Sequence, residues 1–180
     1  IWLNNEGPGK RIIPRLYQSA LNLSMNDMKE RYASGVLVEQ YKKAIGGRLD
    51  KIRILDVHGF ATGQIESILE DSNPGVIVYD MIDNIRGFGD AARTDLMLEQ
   101  MYQWGRERSV KYGCIGLATS QISNDGDGMQ FPTLGMLKDS KTGKQGACDF
   151  QIMIGASNDV GLAGSRFISL PKNKLRRPDG

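Results

Sequence analysis

Residues 76–79, Val-Ile-Val-Tyr, form a nearly continuous apolar run that ends directly in a carboxylate, Asp80. Such a run is typical of a strand whose two faces are both covered, as in parallel sheets packed between helices. Comparable runs occupy residues 52–57 and 114–119, and segments with helical spacing of apolar residues separate them. This alternation predicts an α/β fold with a mostly parallel sheet flanked by helices.

The same patterns give a predicted order of elements. Strands are predicted at residues 1–5, 52–57, 76–80 and 114–119, followed by an antiparallel hairpin of residues 150–154 and 166–170. Helices are predicted at residues 10–23, from Ser24 onward, and at 35–45, 62–71 and 92–111. Ser24, with Asp27 three residues later, Ser34 and Thr62 are the predicted N-caps. The polar, glycine-rich residues 122–134 are predicted to be mobile.

Composition excludes several classes of protein. The chain has 180 residues, 40% hydrophobic and 24% charged, which is ordinary for one globular domain. A net charge of +2 does not by itself indicate a nucleic-acid binder. No apolar run approaches the roughly 20 residues that span a bilayer. Cys114 and Cys148 each lie in an apolar stretch, which suits a reducing compartment rather than a disulfide framework.

Polar residues follow three of the predicted strands. They are Asn5 with Glu6, Asp80 with Asp83, and Ser120 with Gln121. Ligands of open parallel sheets bind at the carboxyl ends of the strands, so these residues are candidates for a nucleotide site. Each also has an ordinary structural interpretation that the sequence leaves open, namely a strand-end cap or a solvated loop side chain.

The chemistry of these residue types suggests separate roles at such a site. Asp80 can hold the magnesium ion of a nucleoside triphosphate, directly or through water. Glu6 can polarise the water that attacks the γ-phosphate. Gln121 can sense that phosphate through hydrogen bonds and relay hydrolysis to the loop that follows.

A basic cluster lies near the end of the chain. Its members are Arg166, Lys172, Lys174, Arg176 and Arg177. Three interpretations stay open: a cation donated to the phosphates of a neighbouring subunit, contacts with a nucleic-acid backbone, or a solvated edge strand whose lysines prevent aggregation.

Each motif is weak alone, but together and in this order they resemble the RecA-like motor of DnaB-like replicative helicases and phage primase–helicases. The matching segments are Leu3-Asn4-Asn5-Glu6, residues 76–80, Ala118-Thr119-Ser120-Gln121, residues 137–140 and 144–149, and residues 172–180. The first is similar to the strand ending in the family's catalytic glutamate, the second to its Walker B strand and the third to its Ser-Gln motif. The resemblance spans nearly the whole chain.

This resemblance implies ATP, or another nucleoside triphosphate, and Mg²⁺ as cofactors. Asp80 would bind the metal, with Asp83 and Lys172 also at the nucleotide. It implies a homo-oligomer, in this family a hexameric ring, around single-stranded DNA, in the cytoplasm of a bacterium or a phage-infected host. The cations available to touch DNA from the loops after Asp80 and Gln121 are Arg86, Lys138, Lys141 and Lys144.

The chain departs from the family in two ways. The phosphate-binding pattern GxxxxGK[ST] is absent, so residues 1–180 are expected to be one partial domain that lacks the first strand, the phosphate loop and its helix. Lys174 stands where the family has its arginine finger, and lysine lacks the planar fork of arginine. Arg176 or Arg177 is the alternative finger. Two other functions stay open: a RecA/KaiC-type ATPase in recombination or regulation, and a non-catalytic RecA-like interaction domain.

Overall fold

A computed structural model describes residues 1–89, 94–137 and 143–175. The strands are β1 (Trp2–Asn4), β2 (Ile54–Asp56), β3 (Val76–Asp80), β4 (Ile115–Ala118), β5 (Phe150–Gly155) and β6 (Phe167–Asn173). The helices are α1 (Ile12–Leu21), α2 (Met25–Ala33), α3 (Leu37–Ala44), α4 (Thr62–Ser72), α5 (Thr94–Tyr112) and α6 (Gly143–Ala147). Short 3-10 turns make several of the connections.

The strands form a parallel sheet and a separate hairpin. The sheet has the order β2-β1-β3-β4 with every pairing parallel. Strands β5 and β6 pair antiparallel, with Ile154 opposite Ile168. The predicted α/β class, with a parallel sheet flanked by helices and a C-terminal antiparallel hairpin, is therefore confirmed. Within the sheet, Asn4 of β1 lies opposite Asp80 of β3, so the two strands end level with each other.

The hydrophobic core lies between β1, β3 and the helices α4 and α5. Leu3, Ile65, Leu69 and Ile77 are each at most 1% exposed, and Trp104 of α5 packs against the same cluster. Full burial of such side chains is the main favourable contribution to folding. Because this core holds the two central strands in register, it also fixes the positions of the residues that follow them.

The helical segment after β1 confirms one predicted cap and contradicts another. Ser24 caps α2 and forms a capping box with Asp27. Ser34 does not cap α3, because it ends α2 and its backbone N–H donates to the carbonyl of Glu30. Gly35 then takes a left-handed backbone conformation (φ 75°), so α3 begins only at Leu37.

Strand β4 is not the buried strand that its sequence predicts. Ile115 is 64% exposed and Leu117 is 48% exposed. The reason is position, since β4 is the last strand of the sheet and pairs only with β3 in the described part of the chain. Among the described residues, no helix has the length and apolar character needed to cross a bilayer.

Candidate functional site

The carboxyl ends of β1, β3 and β4 bring three of the predicted site residues together. The backbone N–H of Asn5 donates to the carbonyl of Asp80 at 2.5 Å, which joins the ends of β1 and β3. Gln121, just after β4, donates its side-chain amide to Oε1 of Glu6 at 3.4 Å. Glu6 and Gln121 are 115 residues apart in the sequence, so the sheet alone makes them neighbours. The expected cluster at the strand ends therefore exists.

Asp80 is oriented by two donors that sequence reasoning did not select. The indole N–H of Trp2 donates to Oδ2 at 3.1 Å, and the hydroxyl of Thr119 donates to Oδ1 at 2.8 Å. The Asp80 side chain is half-buried, and the peptide bond that follows it is cis. A carboxylate offers about four acceptor positions, so two hydrogen bonds leave capacity for a further ligand.

The residues around Asp80 fit a magnesium ion of the kind that nucleotides carry. The described residues contain no group of three or more His, Cys, Asp or Glu side chains able to enclose a metal ion. Magnesium is usually held by only one or two carboxylates, with waters and phosphate oxygens completing its octahedron. A single oriented Asp80 matches that mode of binding, and it does not match a cage built entirely by protein.

Glu6 lies on a short loop that β2 holds in place. The buried Asn4 donates its amide to Oδ1 of Asp56 at 2.5 Å and also to the carbonyl of Gly7. The same Asp56 oxygen accepts the backbone N–H of Gly9 at 2.8 Å. Gly9 is required there, because an added Cβ would lie 2.7 Å from that oxygen. The loop is thus fixed while Glu6 itself is exposed, which leaves its carboxylate open to water.

Lys144 contradicts its predicted role in DNA contact. Its side chain is 2% exposed, and Nζ donates to Oδ2 of Asp83 at 2.7 Å and to Oγ of Ser120 at 3.0 Å. An ammonium that is buried and paired in this way is not available to a phosphate backbone. The charge of Asp83 is likewise matched inside the protein, so no described contact supports its predicted role in cofactor binding.

Tyr102 closes this buried cluster from α5. The Lys144 amino group lies 5.3 Å from the centre of its ring, a cation–π distance. Burial raises the pKa of the Tyr102 phenol, and the adjacent carboxylate of Asp83 raises it further. The phenol therefore stays protonated at neutral pH.

The other predicted cations fall into two groups. Arg86 is exposed, while its backbone is fixed by hydrogen bonds with Phe60 and Thr62. Lys172 donates to the carbonyl of Gln145, and Lys174 is exposed at the end of the hairpin. Within the described residues, no contact joins Lys172 or Lys174 to Glu6, Asp80 or Gln121. The remaining predicted cations lie outside the described residues: Lys138, Lys141, Arg176 and Arg177.

Comparison with known proteins finds relatives by structure only. No protein-family model matches the chain, and no curated protein sequence matches it. One solved structure, a helicase ATPase domain, superposes with a TM-score of 0.75 and 18% identity, over 98% of this chain and 67% of that one. This chain has the fold of a DnaB-like helicase ATPase domain. A DnaB-like replicative helicase, solved in a study of its interactions with primase, gives a TM-score of 0.75 and 19% identity, over 97% of this chain and 45% of that one.

The DnaB-like fold explains why sequence reasoning missed Trp2 and Thr119. Both act on Asp80 across strand pairs, and the pairing of β1 and β4 with β3 is not readable from any one segment. Thr119 lies beside the Ser-Gln motif, so its hydroxyl was the more accessible signal. Trp2 looked like one more apolar residue of β1, and only its indole N–H distinguishes it from a purely packing side chain.

Proposed function

We propose that this chain is the greater part of the nucleotide-hydrolysing motor of a DnaB-like replicative helicase, which couples hydrolysis to movement along single-stranded DNA. The observation that carries the proposal is the contact of Gln121 with Glu6 beside the oriented carboxylate of Asp80. The fold likeness to two helicase ATPase domains supports it. The order of the sequence motifs supports it independently.

Each residue has a definite task in this proposal. Asp80, held by Trp2 and Thr119, would bind the Mg²⁺ of the nucleotide through an oxygen or through a metal-bound water. That ion, when bound, neutralises charge that develops on the transferring phosphoryl group. Glu6 orients the attacking water and accepts its proton. Gln121, already hydrogen-bonded to Glu6, can change partner when a γ-phosphate arrives.

The phosphate cradle must come from elsewhere in this proposal. The pattern GxxxxGK[ST] does not occur in residues 1–180. We infer that a longer protein contains this chain and supplies a phosphate loop, whose backbone amides and lysine would hold the triphosphate. The two helicase chains are longer than the portion matched here, which is consistent with that inference.

The proposed assembly is a homo-oligomeric ring, as in the family that the motifs resemble. Lys174, Arg176 or Arg177 would then reach the phosphates of a neighbouring subunit and stabilise transition-state charge. Arg86, Lys138 and Lys141 would follow the DNA backbone, with little dependence on base sequence. Arg86 suits this task because it is exposed and no described residue pairs with its guanidinium.

The test is nucleic-acid-stimulated hydrolysis by the longer protein. We expect phosphate release from ATP that rises when single-stranded DNA is added and is abolished by Asp80→Asn. Asp71→Asn, a matched change at an exposed carboxylate of α4, should leave the rate unchanged. Hydrolysis without any response to DNA would favour a regulatory RecA/KaiC-type ATPase. Absence of hydrolysis in the folded longer protein would favour a non-catalytic domain and would refute the proposal.

A further inference from the structure

Three consecutive residues after β4 are each tied to a different part of the fold. Thr119 bonds to Asp80 at the end of β3, and Gln121 bonds to Glu6 in the loop after β1. Between them, Ser120 accepts a hydrogen bond from Lys144 of α6. The two outer contacts belong to the proposed nucleotide site, whereas the middle contact reaches away from it into the interior.

The middle contact is made by a fully engaged lysine. The ammonium group of Lys144 has three N–H donors. Asp83 takes one, Ser120 takes another, and the remaining side of the group faces the ring of Tyr102. A buried charge is stable only when it is paired and hydrogen-bonded, so the lysine has little freedom to leave these partners.

Helix α6 holds that lysine from a fixed base. Arg106 of α5 donates to the carbonyl of Ala147 at 2.9 Å. Gln145 donates to the carbonyl of Leu134 at 3.0 Å, and the Gln145 carbonyl accepts from Lys172 of β6. Because α6 is fastened to α5, to the hairpin and to the loop before it, Lys144 approaches Ser120 from a constant direction.

We propose that Lys144 is a positioning residue for hydrolysis: through Ser120 it sets Gln121 against Glu6. This inference rests on the proposed function of Glu6 and Gln121. Lys144 touches neither nucleotide nor water in this role. Its charge is used to hold the backbone of residues 119–121 at its midpoint, and the ion pair with Asp83 keeps the ammonium buried where it can do so.

The decisive variant is Ser120→Ala in the longer protein, because it removes the link to Gln121 and leaves the Lys144–Asp83 pair intact. Misplacing a catalytic group by about 1 Å can cost about 100-fold in rate, so we expect kcat to fall by roughly 10-fold to 100-fold. KM for ATP should change by less than about 3-fold, since the chemical step rather than binding is affected. Ser123→Ala, in the same loop, is the matched control and should change neither constant.

A second measurement separates positioning from loss of structure. In the Glu6→Gln background, Ser120→Ala should cause no further loss of rate, because both changes disable the same contact. In the 180-residue chain, the side-chain amide signal of Gln121 in a ¹⁵N–¹H spectrum should move in Ser120→Ala and in Glu6→Gln, and stay in place in Ser123→Ala. These shifts are measured without any hydrolysis.

Two outcomes would overturn the inference. One is a normal kcat in Ser120→Ala while Glu6→Gln is inactive, which would leave the proposed function intact and remove Lys144 from it. The other is an unchanged Gln121 amide signal in Ser120→Ala. If Glu6→Gln itself hydrolyses normally, the proposed function fails instead, and the Gln121 signal still reports whether Lys144 fixes this segment.

Discussion

Removing the charge of Lys144 should destabilise the chain strongly. Lys144→Met keeps a long apolar stem but leaves the Asp83 carboxylate, whose side chain is 18% exposed, without its cation. Removal of one partner of a buried ion pair typically costs about 3–5 kcal/mol. Because Asp83 keeps some contact with solvent, we expect the lower end, a loss of about 3 kcal/mol in the free energy of unfolding.

The assay is urea denaturation of the 180-residue chain at neutral pH, followed by the fluorescence of its tryptophans, of which Trp104 lies in the core. Lys29→Met, at an exposed lysine of α2, is the control and should stay within about 0.5 kcal/mol of wild type. Adding Asp83→Asn to Lys144→Met should restore about 1–2 kcal/mol, because no unpaired charge then stays buried. A loss below about 1 kcal/mol, with additive effects in the double variant, would refute the buried-pair argument.

Three further predictions concern the core and the site. Leu69→Ala, at a fully buried residue of α4, should cost about 2–5 kcal/mol in urea denaturation. The 180-residue chain alone should release phosphate from ATP at no more than the background rate, because no GxxxxGK[ST] loop is present, and turnover sensitive to Asp80→Asn would contradict this. In the longer protein, subunits with Arg176→Ala and Arg177→Ala should regain some hydrolysis when mixed with Glu6→Gln subunits, since one class of interface then carries neither defect. No recovery despite co-assembly would exclude a trans role for these arginines.

The sequence predicted the strands better than their surroundings. Residues 76–80 were predicted as a strand and form β3 with those bounds, because four apolar residues in succession suit few other positions. The run at 114–119 carried the same signal, yet β4 is exposed. An apolar run reports what a strand can bury. Which side chains are covered depends on the strand's place in the sheet, and that place is set by residues far along the chain.

The candidate site shows the same division between local and long-range information. Glu6, Asp80 and Gln121 were identified because each follows a strand, and parallel strands end at one edge of the sheet. Lys144 was assigned to DNA because lysines near glycine-rich loops are usually exposed. Its burial depends on a carboxylate 61 residues earlier in the chain, a pairing that no local pattern contains. Caps follow the same rule: Ser24 was predicted correctly from Asp27 three residues on, whereas Ser34 had no such partner.

The most direct test of the central claim is the effect of Glu6→Gln on binding and hydrolysis in the longer protein. The variant keeps the size of the side chain and its contact with Gln121, but it cannot accept a proton from water. We predict ATP affinity within about 3-fold of wild type and single-turnover hydrolysis slower by roughly 10²–10⁴-fold. Glu30→Gln, at an exposed glutamate of α2, should hydrolyse normally. Wild-type hydrolysis by a correctly folded Glu6→Gln protein would show that Glu6 is only a loop residue, and the account would fail.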